Sequence, residues 1–386
     1  MEIHGLVFRL RIASVLCCCL FYSCTMGSRD DDSSFRRIEP LKVTMQVEDL
    51  EPYISHIEVF PIGRDTVARP GISKIVFSDP IVFLSGGIVF YASSDWQDIK
   101  RLGNVGRGPS EYLSIKDISI NAAEDEIWCL DVLDSILRYD LRTGTFLGRI
   151  TFDKKGYVRA MIPKDQNSVL LYTPNPFGDY PRHRRTFYCL NKYDLSGRMI
   201  NQELPWTQFN VMASFSIPVA ITDRKYHVLT PESSNISYIF ENGGNVSRLM
   251  MDFGNKWIPS NYFNPKGGDP AERVGELFSA DYYKLIASVF LPEDNIYFHA
   301  FGNESSSWNY YISKDGTHGI RWKSVGIMTP PISAVASNGG YLYFLYDDYG
   351  YVTEEKDPLK KYVIDKYGMP EKMGPSYLIK VRFDVK

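Results

Sequence analysis

The stretch "IWCLDVLDSILRYDLRTG", Ile127 to Gly144, contains the pattern that decides the fold. Four residues of high β-propensity are followed by a polar turn, a second β-rich run and the tight-turn sequence "DLRTG". Upstream, "IKDISI" from Ile115 adds another β-rich run before the turn signal "EDE". Short β-rich runs separated by turn residues are typical of consecutive antiparallel strands. The stretch therefore predicts one small antiparallel sheet.

The same unit occurs six times along the chain. Each copy has a turn signal before its second strand and a β-rich run before that turn, which in the first copy is "PIVFL" at 80–84. The second strands are "IVFYASSD" from Ile88, "IWCLDVLD" from Ile127, "VLLYTPNP" from Val169, "YHVLTPES" from Tyr226, "IYFHAFGN" from Ile296 and "LYFLYDDY" from Leu342. Such units are too small to bury both faces alone and must stack on their neighbours. The fold class is predicted to be all-β, a six-bladed β-propeller over 38–386, and no stretch predicts an amphipathic helix of substantial length.

The two ends of the repeat array predict how the ring closes. The sixth unit ends in "YLIKVRFDVK", with no fourth strand after it. The segment "YISHIEVFPIG", Tyr53 to Gly63, precedes the first unit and alternates like an outer strand. We expect residues 53–63 to complete the last blade, which would remove an exposed sheet edge. The run "LKVTMQV" from Leu41 either adds a further outer strand or lies across the rim.

Residues 1–23 have the features of an export signal. Arg9 and Arg11 precede an apolar run that is too short to span a bilayer. The run ends in "LFYSC", which resembles the bacterial lipobox and implies cleavage before Cys24 and lipid attachment there. An ordinary secretory signal is the alternative. The acidic residues Asp30 to Asp32 resemble the signal that sends Bacteroidetes lipoproteins to the outer leaflet.

Residues 24–37 are polar and acidic, so they are predicted to form a disordered tether. We expect a cell-envelope protein that is anchored by lipid to the outer membrane, is exposed at the surface and has no other membrane contact. The net charge of −3 at pH 7 does not favour nucleic acid as a partner, and we expect a monomer. Cys129 and Cys189 are either buried thiols or a single disulfide.

The run "GRGPSEY", Gly106 to Tyr112, and the strands that follow it resemble the six-bladed β-propeller lipoproteins of the Bacteroidetes. These are related to the NHL and TolB-like propellers. The resemblance is strongest over 88–150; it implies the fold and a surface location, and it brings no catalytic residues. The run is not a phosphate-binding P-loop, because no G-K-[ST] and no helix follow. Arg107 and Glu111 are expected either to pair as a clamp within this loop or to contact a ligand.

The connections between strands differ in length on the two faces of the ring. The turns between first and second strands are short, and we call their side the turn face. The opposite side, the long-loop face, carries the connections into each blade and between second and third strands, including 173–186, 254–283 and 347–376. Long loops on a rigid scaffold are typical of functional surfaces. The long-loop face is therefore predicted to bind the ligand.

The candidate ligand-binding residues are of three kinds. The basic run at 182–185 beside Tyr180 is a solvated loop or a site for an anionic or sugar-acid ligand. Aromatic rings either stack on sugars or fill the gaps between blades. Charged residues near the starts of first strands, including Lys284, approach the channel. The predicted ligand-binding residues are Arg107, Glu111, Tyr112, Asp117, Arg159, Tyr180, Arg182, Trp257, Tyr283 and Trp308.

These observations favour a binding or interaction module whose partner is a glycan, a peptide or an envelope protein. The alternative is a propeller enzyme, such as a calcium-assisted lactonase or polysaccharide lyase; no other cofactor is expected. The calcium ligands would converge from several blades, and the candidates are Asp117, Asn175, Asn235, Asn303 and Asp347. Asp and Asn are also common in turns for backbone reasons. No catalytic residue is predicted, because His227 lies within a second strand, His299 is interpreted as a satisfied sheet histidine and no G-x-S-x-G occurs.

Overall fold

The structure, a computed structural model, describes residues 35–62, 71–121, 125–153, 158–174, 187–206, 218–231, 234–241, 244–259, 281–302, 307–324, 333–346, 357–367 and 377–385. Strands β1 (Phe35–Ile38), β2 (Thr44–Gln46) and β3 (Ile54–Pro61) come first, with a short helix α1 (Pro40–Val43) between β1 and β2. Single 3₁₀ turns lie at Glu51–Tyr53, Gly254–Lys256 and Pro292–Asp294.

Six four-stranded antiparallel units follow, and they confirm the predicted six-bladed β-propeller. Blade 1 contains β4 (Ile72–Val76), β5 (Ile81–Ser85), β6 (Ile88–Ala92) and β7 (Ile99–Arg101). A parallel ribbon of β8 (Asn104–Val105) and β9 (Glu111–Tyr112) leads to blade 2, with β10 (Ile115–Asn121), β11 (Glu126–Asp131), β12 (Ser135–Asp140) and β13 (Phe146–Thr151). Blade 3 contains β14 (Ala160–Asp165), β15 (Ser168–Tyr172), β16 (Phe187–Asp194) and β17 (Met199–Trp206).

Blade 4 contains β18 (Val219–Thr222), β19 (Tyr226–Leu229), β20 (Ile236–Glu241) and β21 (Val246–Met251). Blade 5 contains β22 (Leu285–Phe290), β23 (Ile296–Phe301), β24 (Ser307–Ile312) and β25 (Gly319–Ser324). Blade 6 contains β26 (Ala334–Asn338), β27 (Tyr341–Tyr346), helix α2 (Pro358–Tyr367), β28 (Tyr377–Phe383) and, as its outer strand, β3.

The first strands β4, β10, β14, β18, β22 and β26 contact one another in turn and form the inner ring. In blade 1 the predicted first strand at 80–84 is wrong, because its core forms β5, the second strand. The true first strand, β4, has the sequence "ISKIV", in which Lys74 is buried. A lysine in the middle of a short run is more typical of an exposed segment. Because of Lys74, the sequence pattern does not indicate that 72–76 form a buried first strand.

Residues 35–61 form a belt around the outside of three blades. Strand β1 lies beside β21 of blade 4, β2 pairs in parallel with β25 of blade 5, and β3 pairs with β28 of blade 6. The predicted tether, 24–37, is thus too long, since β1 begins at Phe35. The reason is Ile38, which is buried among side chains of blades 4 and 5 and holds the preceding residues against β21.

The turn after β18 contacts three other blades on the turn face of the ring. Thr222 forms a parallel bridge with Ser337 of blade 6, and its Oγ1 accepts the backbone N–H of Leu291 of blade 5 at 3.1 Å. The Asp223 carboxylate accepts the N–H of Gly339 at 2.6 Å. Arg224 Nε donates to the carbonyl of Phe77 of blade 1. One turn therefore joins four blades on this face.

Helix α2 is an element that sequence reasoning missed. Asp357 Oδ1 accepts the N–H groups of Leu359 at 2.9 Å and Lys360 at 3.1 Å, and Pro358 occupies the first helical position. This arrangement is a strong helix start. Leu359 and Val363 are fully buried against blades 5 and 6. Two inward apolar residues are too few to produce a recognisable helical period.

Cys129 and Cys189 are buried free thiols, so no disulfide joins them. None of the helices in the described ranges has the length and apolar character needed to cross a bilayer.

Candidate ligand-binding site

Three of the predicted aromatic residues converge in the seam between blades 4 and 5. Trp257 follows the 3₁₀ turn at Gly254–Lys256, and Tyr283 lies two residues before β22. The two form an isolated parallel bridge, so backbone hydrogen bonds fix their relative position. Trp308 lies near the start of β24, and all three side chains are partly exposed. Residues from one long connection and one strand thus meet near the long-loop face.

A stack of aromatic rings anchors this group in the core. Phe253 lies between Trp257 and Tyr283, with ring centroids 5.7 Å and 4.2 Å away and interplanar angles of 19° and 22°. Tyr310 donates its hydroxyl proton to the Tyr283 hydroxyl at 2.7 Å. Phe253 and Tyr310 are buried, whereas Trp257 and Tyr283 are partly exposed. The buried rings hold the exposed ones in place.

Two cations on β25 accompany the aromatic rings. In the register of β24 and β25, Tyr310 is opposite Arg321 and Trp308 is opposite Lys323, so all four side chains share one face of the sheet. The guanidinium carbon of Arg321 is 5.8 Å from the centroid of the Trp308 ring, within range for a cation–π contact. We call Trp257, Tyr283, Trp308, Arg321 and Lys323 the aromatic site. Sequence reasoning missed Arg321 and Lys323; the alternation in "GIRWKS" was the available signal.

Two phenols, Tyr283 in the site and Tyr310 behind it, are neutral at physiological pH. Burial raises the pKa of Tyr310 well above its ordinary value, and the nearby Arg321 opposes that rise. Burial also raises the pKa of Tyr283, while its hydrogen bond from Tyr310 acts in the opposite direction. The site therefore combines flat neutral rings with positive charge.

Asp117, a predicted ligand-binding residue, is instead bonded within the inner ring. Its Oδ1 accepts a hydrogen bond from Lys74 Nζ at 2.6 Å, and its Oδ2 accepts the N–H of Met161 at 2.9 Å. A β-bulge precedes each charged residue, between Ile72 and Lys74 and between Ile115 and Asp117. Bulges re-aim side chains, which here meet across two blades. Burial raises the pKa of Asp117, and the Lys74 ammonium opposes this shift. The pair ties blades 1, 2 and 3 together.

His227 and Ser119 form a buried hydrogen bond, with Ser119 Oγ and His227 Nε2 3.1 Å apart. Burial, aided by the nearby Lys74 ammonium, lowers the pKa of His227 to about 3, so the ring is neutral. Asp117 does not orient this histidine, because its two oxygens are bonded to Lys74 and Met161. His299 Nδ1 lies 2.9 Å from Asn309 Oδ1, whereas its Nε2 has no partner among the described residues.

The glycine-rich loop before blade 2 is braced by its own residues. The predicted pair of Arg107 and Glu111 is wrong: the Glu111 carboxylate accepts the N–H of Gly108 at 2.7 Å and contacts Gly106 so closely that a side chain there would overlap it. Tyr112 is fully buried, and its hydroxyl donates to the carbonyl of Leu102 at 2.9 Å, so it is unsuited to ligand contact. Arg107 alone among these candidates is exposed.

Three further candidates, Arg159, Lys284 and Asn235, lie within the described ranges, and none of them is part of the aromatic site. Arg159 is partly buried just before β14, and Lys284 is buried just before β22, where burial lowers the pKa of its ammonium group. Asn235, a candidate calcium ligand, donates from its amide to the carbonyl of Met251 at 3.2 Å. Within the described ranges, no group of three or more His, Cys, Asp or Glu side chains is arranged to hold a metal ion. The candidates outside the described residues are Cys24, Asn175, Tyr180, Arg182, Asn303 and Asp347.

Comparison with known proteins assigns this chain to a family. The profile of the DUF5128 family, described as a 6-bladed beta-propeller, matches residues 88–319. A solved structure of a Bacteroides fragilis NCTC 9343 protein described as exported is similar, with a TM-score of 0.66 and 12% identity, covering 91% of this chain and 99% of that one. Virginiamycin B lyase from Staphylococcus aureus has a TM-score of 0.38 and 11% identity, with coverage of 75% and 81%. No curated protein matches the sequence significantly. At these identities the likeness shows the fold alone.

Proposed function

This chain belongs to the DUF5128 family of 6-bladed beta-propellers, and from that premise we propose that it is a binding protein of the cell envelope that holds a glycan at the aromatic site. The observation that carries the proposal is the convergence of Trp257, Tyr283 and Trp308 from separate parts of the chain. A core of packed rings keeps these side chains partly exposed and fixed in orientation.

Fixed aromatic rings suit a sugar better than they suit a flexible partner. The C–H groups of a pyranose ring stack on an aromatic face, and the polar edge of Tyr or Trp forms hydrogen bonds to sugar hydroxyls. A site whose rings are already ordered loses little conformational entropy on binding. Peptides and envelope proteins remain alternative partners, and they would engage a wider part of the long-loop face.

The enzyme alternative receives less support from the described residues. Asp117, the carboxylate that a calcium-assisted reaction would need in the channel, is bonded to Lys74 and the backbone of Met161. The turn after β18 joins blades 1, 4, 5 and 6 on the turn face, and we expect a ligand to approach from the opposite, long-loop face.

The proposed location is the outer membrane surface, with a lipid anchor at Cys24 as the only membrane contact and the propeller acting as a monomer. The lipobox-like "LFYSC" and the acidic residues 30–32 support this proposal. Incorporation of labelled fatty acid into the wild-type protein, and its loss in Cys24→Ala, would test the anchor.

A titration of the full-length protein with a panel of oligosaccharides tests the proposed function. We expect Trp308→Ala and Trp257→Ala each to weaken binding of the sugar selected by the wild type by several-fold to about tenfold, because each removes a stacking ring. Tyr367→Ala is the control, since Tyr367 is an exposed aromatic residue on α2, outside the site. If the wild type binds a glycan and both tryptophan variants bind it unchanged, the site is assigned wrongly.

A further inference from the structure

The charge around Trp308 is unbalanced. Arg321 and Lys323 alternate along β25, and both side chains lie on the face that carries Trp308 and Tyr310. Neither cation forms an ion pair with a carboxylate of the described residues. Other cations on or next to this blade are paired: Lys256 with Asp281 at 2.6 Å and Lys314 with Asp294 at 2.6 Å. Two neighbouring positive charges therefore mark this point of the surface, and the part of the chain that the structure describes supplies no carboxylate to pair with them.

Burial increases the free-energy cost of the positive charge on Arg321. The residue is partly buried, and its Nη1 is shielded from solvent with no hydrogen-bond partner among the described residues. Burying part of a charged group costs free energy unless an opposite charge or hydrogen bonds compensate. The contact with the Trp308 ring offsets only a small part of that cost. An anion bound beside Arg321 would provide the missing compensation.

We propose that Arg321 and Lys323 form a carboxylate subsite beside Trp308, so that the ligand is an acidic saccharide. This inference rests on the proposed glycan-binding function and adds the class of sugar. A guanidinium offers two parallel N–H donors that match the two oxygens of a carboxylate, and the ammonium adds a point charge. Arg321 contacts the Trp308 ring and Lys323 is opposite Trp308 in the sheet, so a uronic acid that packs against Trp308 would bring its carboxylate close to both cations.

A matched ligand pair separates charge from shape. The full-length protein is titrated by calorimetry with trigalacturonic acid and with its methyl ester, which keeps the sugar rings and removes the negative charges. We expect the acid to bind at least about tenfold more tightly, the factor that one charge-assisted contact provides. The preference should shrink as salt is raised, because salt screens exposed charges.

Variants assign the preference to the two cations. Arg321→Gln combined with Lys323→Gln should bind the acid and the ester equally, because both positive charges of the subsite are removed. Arg321→Lys should keep only part of the preference, since it retains the charge and loses the planar pair of donors. Lys100→Gln on blade 1 is the control for a simple change in net charge.

The outcomes separate the two proposals. If the wild type binds acid and ester equally, the subsite is refuted and glycan binding stands. If neither binds, and no neutral or acidic sugar in the panel binds, the proposed function fails first. A sulfated saccharide that binds more tightly than the uronate would refute the carboxylate assignment.

Discussion

Asp357 stabilises the first turn of helix α2, but the burial of its carboxylate destabilises the folded protein when the group is ionised. Its carboxylate caps α2, yet the side chain is buried. Burial raises the pKa of Asp357 to about 6, although the hydrogen bonds from the backbone N–H groups of Lys360 and Leu359 and the Lys360 charge act in the opposite direction. The folded state therefore holds this proton more tightly than the unfolded chain, whose carboxyl titrates near ~3.9.

The sign of the pH dependence follows from that shift. Below about pH 4 the Asp357 carboxyl is protonated in both the folded and the unfolded state, so its burial does not cost the free energy of burying a charge. As pH rises through the folded pKa of about 6, ionisation lowers the free energy of unfolding. We expect Asp357→Asn, which keeps a capping oxygen, to be more stable than wild type at pH 7.5 by about 1–3 kcal/mol, with the difference shrinking toward pH 4.

Urea unfolding at several pH values measures this effect. Asp365→Asn is the matched control, because Asp365 is an exposed carboxylate on the same helix. If Asp357→Asn retained the wild-type pH slope, the buried carboxylate would not be the group responsible.

At the scale of elements, hairpin repeats were predictable from sequence and isolated elements were not. Each repeat couples two β-rich runs through a turn, so the pattern is reinforced six times. Strand β4 was missed because its buried Lys74 is paired with Asp117, a partner more than forty positions away that no local pattern indicates. Helix α2 is stabilised by tertiary contacts of Leu359 and Val363, and its local sequence is polar. Tertiary partners override local preference in both cases.

The belt strand β1 depends on one apolar side chain. Ile38 is 3% exposed and packs among side chains of blades 4 and 5. We expect Ile38→Ala to lower the free energy of unfolding by about 2–4 kcal/mol, the usual cost of truncating a buried isoleucine. Native-state hydrogen exchange should show the largest loss of protection at β1 and β21. Arg37→Ala, which breaks an exposed ion pair with Asp252, should cost less than about 1 kcal/mol. Equal effects of the two variants would contradict a packing role for Ile38.

At the scale of the whole molecule, the turn after β18 couples distant blades. Thr222 is fully buried, and its hydroxyl satisfies the backbone N–H of Leu291 of blade 5. We expect Thr222→Val, which is close in shape, to lower the free energy of unfolding by about 1–3 kcal/mol, because it leaves a buried N–H unpaired. Thr222→Ser should retain most of the stability. Chemical unfolding followed by tryptophan fluorescence measures both, and similar losses in the two variants would argue against the hydrogen bond.

The candidate site was predictable in part, for reasons that differ between its residues. Trp257, Tyr283 and Trp308 could be named because large aromatic residues in or beside long connections are conspicuous in a sequence. Arg321 and Lys323 could not, since their relevance depends on the register that sets them opposite Tyr310 and Trp308. Tyr112 was assigned to the surface because its loop is exposed, although its ring fills the core between blades 1 and 2. Register and side-chain direction are set by tertiary packing.

The belt also determines how the molecule would respond to mechanical load. Its three strands fasten to blades 4, 5 and 6 in the order in which the chain passes them, and β3, the strand that closes the ring, is the last. A pull on the chain at Phe35 would load β1 first, then β2, and only then β3. We therefore expect β1 and β2 to detach from blades 4 and 5 before β3 is loaded, and blade 6 to keep its outer strand until then. A force applied from the N-terminal side would thus break the contacts of β1 and β2 before it reached the pairing of β3 with β28 that closes the ring.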